Sequence, residues 1–457
     1  MAGILARECP APPSQFLSHG GSAANEVSRE GGVREHRAQS FRDGRPRDVQ
    51  CLPVAVIGAG PVGLAVTAHL WAREQEVIVL EAGSACASAV RQWAHVRLFS
   101  PWSQLVDPLC ARLLQASGWR PAAGEALPTG GELVMQYLEP LAERLRPHLR
   151  LDTRVTGVSR LGGDRAAGET RKAVPLLVRV HDRFGERDLL ARAVVDASGT
   201  YETPNWLGAS GLPARGESEL RDYVAYRIPS AEAEGDRYRG RRVAVVGSGH
   251  SALNALLELA SLKPAVDLTW IVRPGRVADP LARDERNAGG QLPARAELAR
   301  RVRVLVERGR IRPLALRVDE ARRGRDGIRL GEFERLAGPF DQIVALTGLR
   351  PNLAMLRELR LALDPASEAP LALAPLIDAN LHSCATVPAH GAAELAHPEP
   401  DFYIVGIKSY GRAPTFLLKT GYEQVASVAS ELSYDTAAKA KATGARAVDE
   451  AATEQCT

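Results

Sequence analysis

Two glycine clusters are the residues best suited to chemistry. The first, Gly58-Ala59-Gly60-Pro61-Val62-Gly63, follows a short β-branched run, Leu52 to Ile57, and opens a helical stretch from Pro61 to about Arg73. In that setting Gly58 permits a tight turn, Gly60 lets a pyrophosphate approach the backbone, and Gly63 lets helix and strand pack closely, while the helix start offers free N–H groups. Glu81 ends the next apolar run, EVIVLE, where its carboxylate is placed to accept hydrogen bonds from a ribose diol. The second cluster, Gly247-Ser248-Gly249-His250-Ser251-Ala252, repeats the form G-x-G-x-x-A between the run Arg242 to Val246 and a helix from about Ser251 to Ser261. Arg273 follows the run Asp267 to Val272, at the position equivalent to Glu81, and a guanidinium there favours a nucleotide carrying a 2′-phosphate. Two dinucleotides are implied.

Other clusters are less directive. His382, Cys384, His390 and His397 fall within 16 residues, but the spacing fits no standard metal motif and no metal site is expected. Cys384, as a thiol able to contact substrate, and His382 beside it are kept as candidate catalytic residues. The six cysteines include no C-x-x-C pair, which argues against both a zinc ribbon and a dithiol redox centre. Two stretches, Val194 to Thr200 and Ile343 to Asn352, are apolar strands that end in small-residue turns, suited to let the backbone pass close to a cofactor where the chain crosses between domains.

The elements that must position these groups read as two βαβ units, at 52–81 and 242–272, in a chain of 457 residues that is 45% hydrophobic. An amphipathic helix is expected over 132–146, and a β-meander over 151–195 with turns at Gly162-Gly163-Asp164 and Phe184-Gly185. Lys and Arg exceed Asp and Glu by 58 to 54 and are spread along the chain, so nucleic acid is not expected as a partner. No apolar stretch reaches the roughly 18 residues of a membrane span, and a cytoplasmic protein is expected. Residues 1–50 and 433–457 read as a disordered extension and a flexible tail.

Taken together, these motifs resemble the flavoproteins with two dinucleotide-binding domains, a superfamily that includes thioredoxin-reductase-like enzymes and flavin-containing monooxygenases. Within it, WAHVRLFSPW (93–102), VVGSGHSALNALLEL and the run from Pro375 to Gln424 are most similar to flavin-binding monooxygenase-like proteins associated with arsenic-resistance gene clusters. The resemblance implies an α/β fold in which a Rossmann-like NADP-binding domain, 203–350, is inserted into a Rossmann-like FAD-binding domain formed by 51–202 and 351–432. It places FAD on Gly58, Gly60, Gly63 and Glu81 and NADPH on Gly247, Gly249, Ala252 and Arg273, with Arg97 and Ser100 near the flavin. Where the superfamily often has a Gly-Asp pair at the ribityl chain, this sequence has Gly406-Ile407-Lys408; Gly406 still admits the cofactor, and a helix opening near Gly421 points its start at the flavin. The implied activity is transfer of reducing equivalents from NADPH through FAD to O2, oxygenating a small soft nucleophile, arsenic compounds among them. The alternatives are an NADPH-dependent reductase of a small acceptor and a non-catalytic FAD-binding redox sensor. Neither the monooxygenase signature F-x-G-x-x-x-H nor the reductase C-x-x-C is present in the matching stretches.

Overall fold

The computed structural model describes residues 49–166, 173–274, 293–332, 335–378 and 387–433, with a few short stretches between and before them. The expectations for 1–50 and 433–457 fall almost wholly outside the described residues, as does Cys384.

The first apolar runs become strands because they are buried on both faces. β1 (Val54–Ile57) is fully buried, α1 (Pro61–Trp71) leaves its C-terminal edge, and β2 (Val77–Leu80) returns parallel beside it, a right-handed crossover being the form that packs back onto the sheet. Farther along come α2 (Pro108–Gln115) and β3 (Leu149–Arg150). The expected meander is β4 (Arg154–Arg160), β5 (Leu176–Asp182) and β6 (Gly185–Ala191), an antiparallel sheet, after which β7 (Ala193–Asp196) rejoins the first sheet. The helix expected over 132–146 is interrupted: Gly130–Leu133 runs into a wider π turn, Val134–Leu138, before Glu139–Arg144. Pro140 has no N–H to offer the carbonyl of Gln136, and the indole N–H of Trp119 donates to that oxygen instead at 2.7 Å.

The second sheet repeats the plan. β8 (Val224–Ala225), β9 (Arg242–Val246), α3 (His250–Ala260), β10 (Asp267–Val272), α4 (Pro293–Glu307) and β11 (Ile311–Ala315) follow in order. An antiparallel trio, β12 (Glu320–Gly324), β13 (Gly327–Glu332) and β14 (Arg335–Phe340), precedes β15 (Gln342–Ala345). The chain then re-enters the first sheet as β16 (Phe402–Ile404), and the last described helix is α5, residues 418–433. The sheet orders are β16-β7-β1-β2-β3 and β8-β15-β9-β10-β11, both five-stranded and parallel. The second sheet therefore interrupts the first in sequence. Where the chain crosses between them the two connections are zipped together: Pro204 pairs with Leu349, Asn205 N–H donates to Gly348 O at 2.9 Å, and Arg350 Nε donates to Asn205 Oδ1 at 2.7 Å. No described helix is long and apolar enough to cross a membrane.

Candidate cofactor and active site

In each sheet, register brings a glycine turn against a neighbouring strand end. Ile57 pairs with Leu80 and Asp196, so Gly58 stands level with Glu81 and Ala197. Gly58 N–H donates to Leu80 O at 2.8 Å, and Ala197 N–H donates to Ile57 O at 3.0 Å. The second sheet does the same with Gly247 N–H to Ile271 O at 3.1 Å and Leu346 N–H to Val246 O at 2.7 Å. Gly58 and Gly247 sit at φ +96° and +138°, and a Cβ on either would meet the carbonyl oxygen of Ala197 or Leu346 at 3.0 or 2.2 Å, so both turns require glycine. The next glycine of each motif is different. A Cβ built on Gly60 or Gly249 meets nothing within 4 Å. These two backbones are bare toward open space, as a pyrophosphate on the following helix start requires.

That space is one cavity of about 970 Å³ running between the two sheets. Gly58, Gly60, Glu81, Arg97, Ser100, Gly247, Gly249, Arg273 and Gly406 all line it. Gly63 and Ala252 do not, because they lie under the turns: a Cβ on Gly63 would come within 1.9 Å of Gly58 O, and Ala252 is fully buried. His382 is half-buried and is not among the lining residues. Glu81 does more than the sequence suggests, since Oε2 accepts from Ala59 N–H (2.7 Å) and Oε1 from Gly83 N–H (2.8 Å) and Ser88 Oγ (2.7 Å). A carboxylate has about four acceptor directions, so the one that organises this turn retains capacity for a ribose hydroxyl. Arg273 needs correction: Val246 pairs with Ile271, so the strict counterpart of Glu81 is Val272, and exposed Arg273 stands one residue beyond it. No carboxylate occupies the Glu81 position in the second sheet. The C-terminal helix begins at residue 418, three before the expected Gly421, with Leu417 and Leu418 on the cavity wall.

The polar supports behind this wall carry no local signal in the sequence. Lys408, two residues after Gly406, is fully buried, its Nζ 2.7 Å from Asp196 Oδ2 and 3.0 Å from Ser198 Oγ. Asp196 Oδ1 also accepts from Ser198 N–H and Oγ at 3.0 and 2.6 Å. A buried lysine must be paired, and here the pair joins the end of β7 to the turn after β16. Gly406 N–H donates to Gln424 Oε1 at 2.8 Å, while Gln424 Nε2 donates to Ser409 Oγ at 2.9 Å and lies 2.9 Å from His390 Nε2. His390 Nδ1 lies 2.9 Å from Pro388 O, which makes Nδ1 the donor and Nε2 the acceptor. His390 is thus a structural prop. His397 packs on Phe402, and burial pushes its imidazole down to about 4.

A family profile described as pyridine nucleotide-disulphide oxidoreductase matches residues 55–371, across both glycine turns. The chain belongs to this family. FAD and NAD(P)H are the cofactors of these flavoproteins, and the residues present fit both, with a bare glycine at each helix start and the Glu81 carboxylate on the cavity lining beside the first turn. Solved structures similar to the chain include the bacillithiol disulfide reductase Bdr (YpdA) from Bacillus cereus, at 19% identity and TM-score 0.62, covering 84% of this chain and 99% of that one. The ornithine hydroxylase PvdA from Pseudomonas aeruginosa follows at 16% identity and TM-score 0.56, covering 84% and 99%. A flavin-containing monooxygenase from Stenotrophomonas maltophilia has 22% identity and TM-score 0.52, covering 85% and 98%. No curated protein sequence matches the chain. Among the described residues of this oxidoreductase, no cysteine lines the cavity. Cys86 and Cys110 lie in the core, where burial pushes their thiols up, and Cys51 is exposed elsewhere.

Proposed function

We propose that the protein is an FAD- and NADPH-dependent monooxygenase acting on a small soft nucleophile, with arsenic compounds the substrate class suggested by the resemblance of its sequence. Residues 51–202 and 351–432 form the FAD module in this reading and 203–350 the NADP module. The observation that carries it is the single cavity reaching both bare glycines with no described thiol on its wall. Disulphide chemistry needs a thiol to receive the electrons, whereas oxygen needs only access and a dry site. When bound, the two cofactors supply two-electron transfer and the activation of O2. The balance is NADPH + H⁺ + O2 + substrate giving NADP⁺ + H2O + oxygenated substrate.

The chain's own residues bind, orient and exclude water. Arg273 takes the 2′-phosphate, and Val272 in the place of Glu81 offers no carboxylate to repel it. Trp93, Val96, Leu98, Leu105, Leu133 and Phe416 give the cavity an apolar wall. The carboxylates on the lining are Glu81, engaged by three donors, and Glu202, paired with Arg154 at 2.7 Å. Glu202 is neutralised by Arg154, and in this reading the remaining capacity of Glu81 goes to the ribose, so no further carboxylate is left for a cationic amine and the site suits neutral or anionic substrates.

The second reading, an NADPH-dependent reductase of a small acceptor, is favoured by the family description and by the disulfide reductase among the similar structures. Anaerobic reduction by NADPH, followed by admission of air with and without trivalent arsenicals, separates the two. The oxygenase consumes O2 and NADPH one to one and yields an oxygenated product. Sustained anaerobic turnover with a small acceptor, without oxygenated product in air, overturns the proposal.

A further inference from the structure

One side chain of the first module reaches into the second. Phe99 lies in a segment anchored to its own module: Leu98 N–H donates to Pro128 O at 2.8 Å, Gly130 N–H to Val96 O at 2.9 Å, and Trp102 N–H to Ala126 O at 3.1 Å, while Arg97 pairs with Thr129. Its ring nevertheless packs against the apolar core of the second sheet. The ring centroid is 5.2 Å from that of His250, tilted by 59°, and 5.5 Å from the guanidinium carbon of Arg295. Among the described ring pairs this one joins the two modules; the others stay within one.

The partners matter because of where they stand. His250 is the first residue of α3, immediately after the bare Gly249, and Arg295 is in the first turn of α4. Both line the shared cavity, as does Phe99. A nicotinamide dinucleotide that sets its pyrophosphate on the start of α3 meets His250 as the first residue of that helix, and the Phe99 ring already packs against the His250 ring.

We infer that Phe99 and the nicotinamide nucleotide compete for the first turn of α3, so that Phe99 is a positioning residue that sets the affinity for the nucleotide and ties its arrival to the placement of the second module. The inference rests on reading the second glycine turn as the nicotinamide site. Competition fixes a sign. A contact that must be surrendered lowers the apparent affinity, and removing it raises that affinity. A ring contact of this kind corresponds to a factor of about two to ten in an equilibrium constant.

The test is titration of FAD-loaded, full-length protein with NADP⁺, followed by calorimetry and by the perturbation of flavin absorbance. Phe99→Ala should bind NADP⁺ about twofold to tenfold more tightly than the parent, and Phe99→Leu, which keeps bulk but not the ring, by a smaller factor. Hydrogen exchange should show the amides of residues 250–254 less protected in Phe99→Ala without nucleotide, and equal in both once NADP⁺ is bound. Unchanged or weaker NADP⁺ binding, with flavin content and melting temperature at parental values, overturns the inference and makes Phe99 an ordinary wall of the site. Should Phe99→Ala not fold, Phe99→Leu carries the same comparison. Failure of the parent protein to bind either NADP⁺ or NAD⁺ would instead refute the nucleotide reading beneath it.

Discussion

Replacing Lys408 by Met tests whether the cofactor crevice is held together electrostatically from behind. Both side chains of the Lys408–Asp196 pair are 0% exposed, and Nζ lies 2.7 Å from Oδ2. Methionine fills much of the lysine stem's volume, so the loss is chiefly of charge and hydrogen bonds rather than packing. Deleting one partner of a buried pair costs about 3–5 kcal/mol because the other charge stays behind unpaired. Asp196 keeps its two bonds from Ser198, on Oδ1, which puts the expectation at the lower end, about 3 kcal/mol. Urea unfolding monitored by circular dichroism at several FAD concentrations, extrapolated to zero ligand so that linkage is removed, should show this as a lowered midpoint with unchanged slope. Asp196→Asn with Lys408→Met should recover most of the loss, a coupling of about 2 kcal/mol between adjacent sites. FAD should also leave the single variant faster, since the pair ties together two turns on the cavity wall, at Ser198 and Gly406. A cost below about 1 kcal/mol, or strictly additive effects, would refute the reasoning.

Three further outcomes follow from the same geometry. Gly60 has φ −78° and no neighbour within 4 Å of a built Cβ, so Gly60→Val should fold normally yet purify without flavin; a yellow variant would remove FAD from this turn. Arg273→Glu should raise the KM for NADPH at least tenfold more than that for NADH, and equal effects would show that Arg273 does not read the 2′-phosphate. His397 is held neutral by burial, with its imidazole at about 4 against 6.5 in the unfolded chain, so it costs nothing above pH 6.5. As the pH falls from 6.5 to 4 the unfolded chain binds the extra proton and stability drops by about 2–3 kcal/mol; His397→Phe should flatten that limb in urea titrations at pH 4.5 and 7.

What could be read from the sequence was local. β1, β7, β9 and β15 are buried on both faces and read as apolar runs, and each G-x-G sits within a few residues of the strand and helix it joins. Arg242–Val246 and Asp267–Val272 appear with the expected bounds. The antiparallel trio β12–β14 was not expected, because its strands carry several exposed arginines and a hydrophobic period never emerges. The break in the 132–146 helix was available in Pro140, whose missing N–H is a sequence fact, but the donor that compensates, Trp119, becomes adjacent only on folding.

The supports of the site were illegible for a different reason. Asp196 and Lys408 are 212 residues apart, and a lysine after Gly406 carries no sign in one dimension that a strand end will supply its counter-ion. Gln424 is a single polar residue in a helix, yet its side chain accepts from the N–H of Gly406 on the cavity wall. Even Arg273 was placed one residue out, because spacing from the glycine turn ignores the register that sets Val272 opposite Gly247. The glycine turns bind the parts common to every dinucleotide, so they carry no information that separates one oxidoreductase from another. Three contacts join residues far apart in sequence around the cavity: Lys408 with Asp196 and Gln424 with Gly406 inside the first module, and Phe99 with His250 between the two. Selectivity for nucleotide and acceptor is therefore to be sought in those long-range contacts, where substitution should change affinity while the glycine turns stay intact.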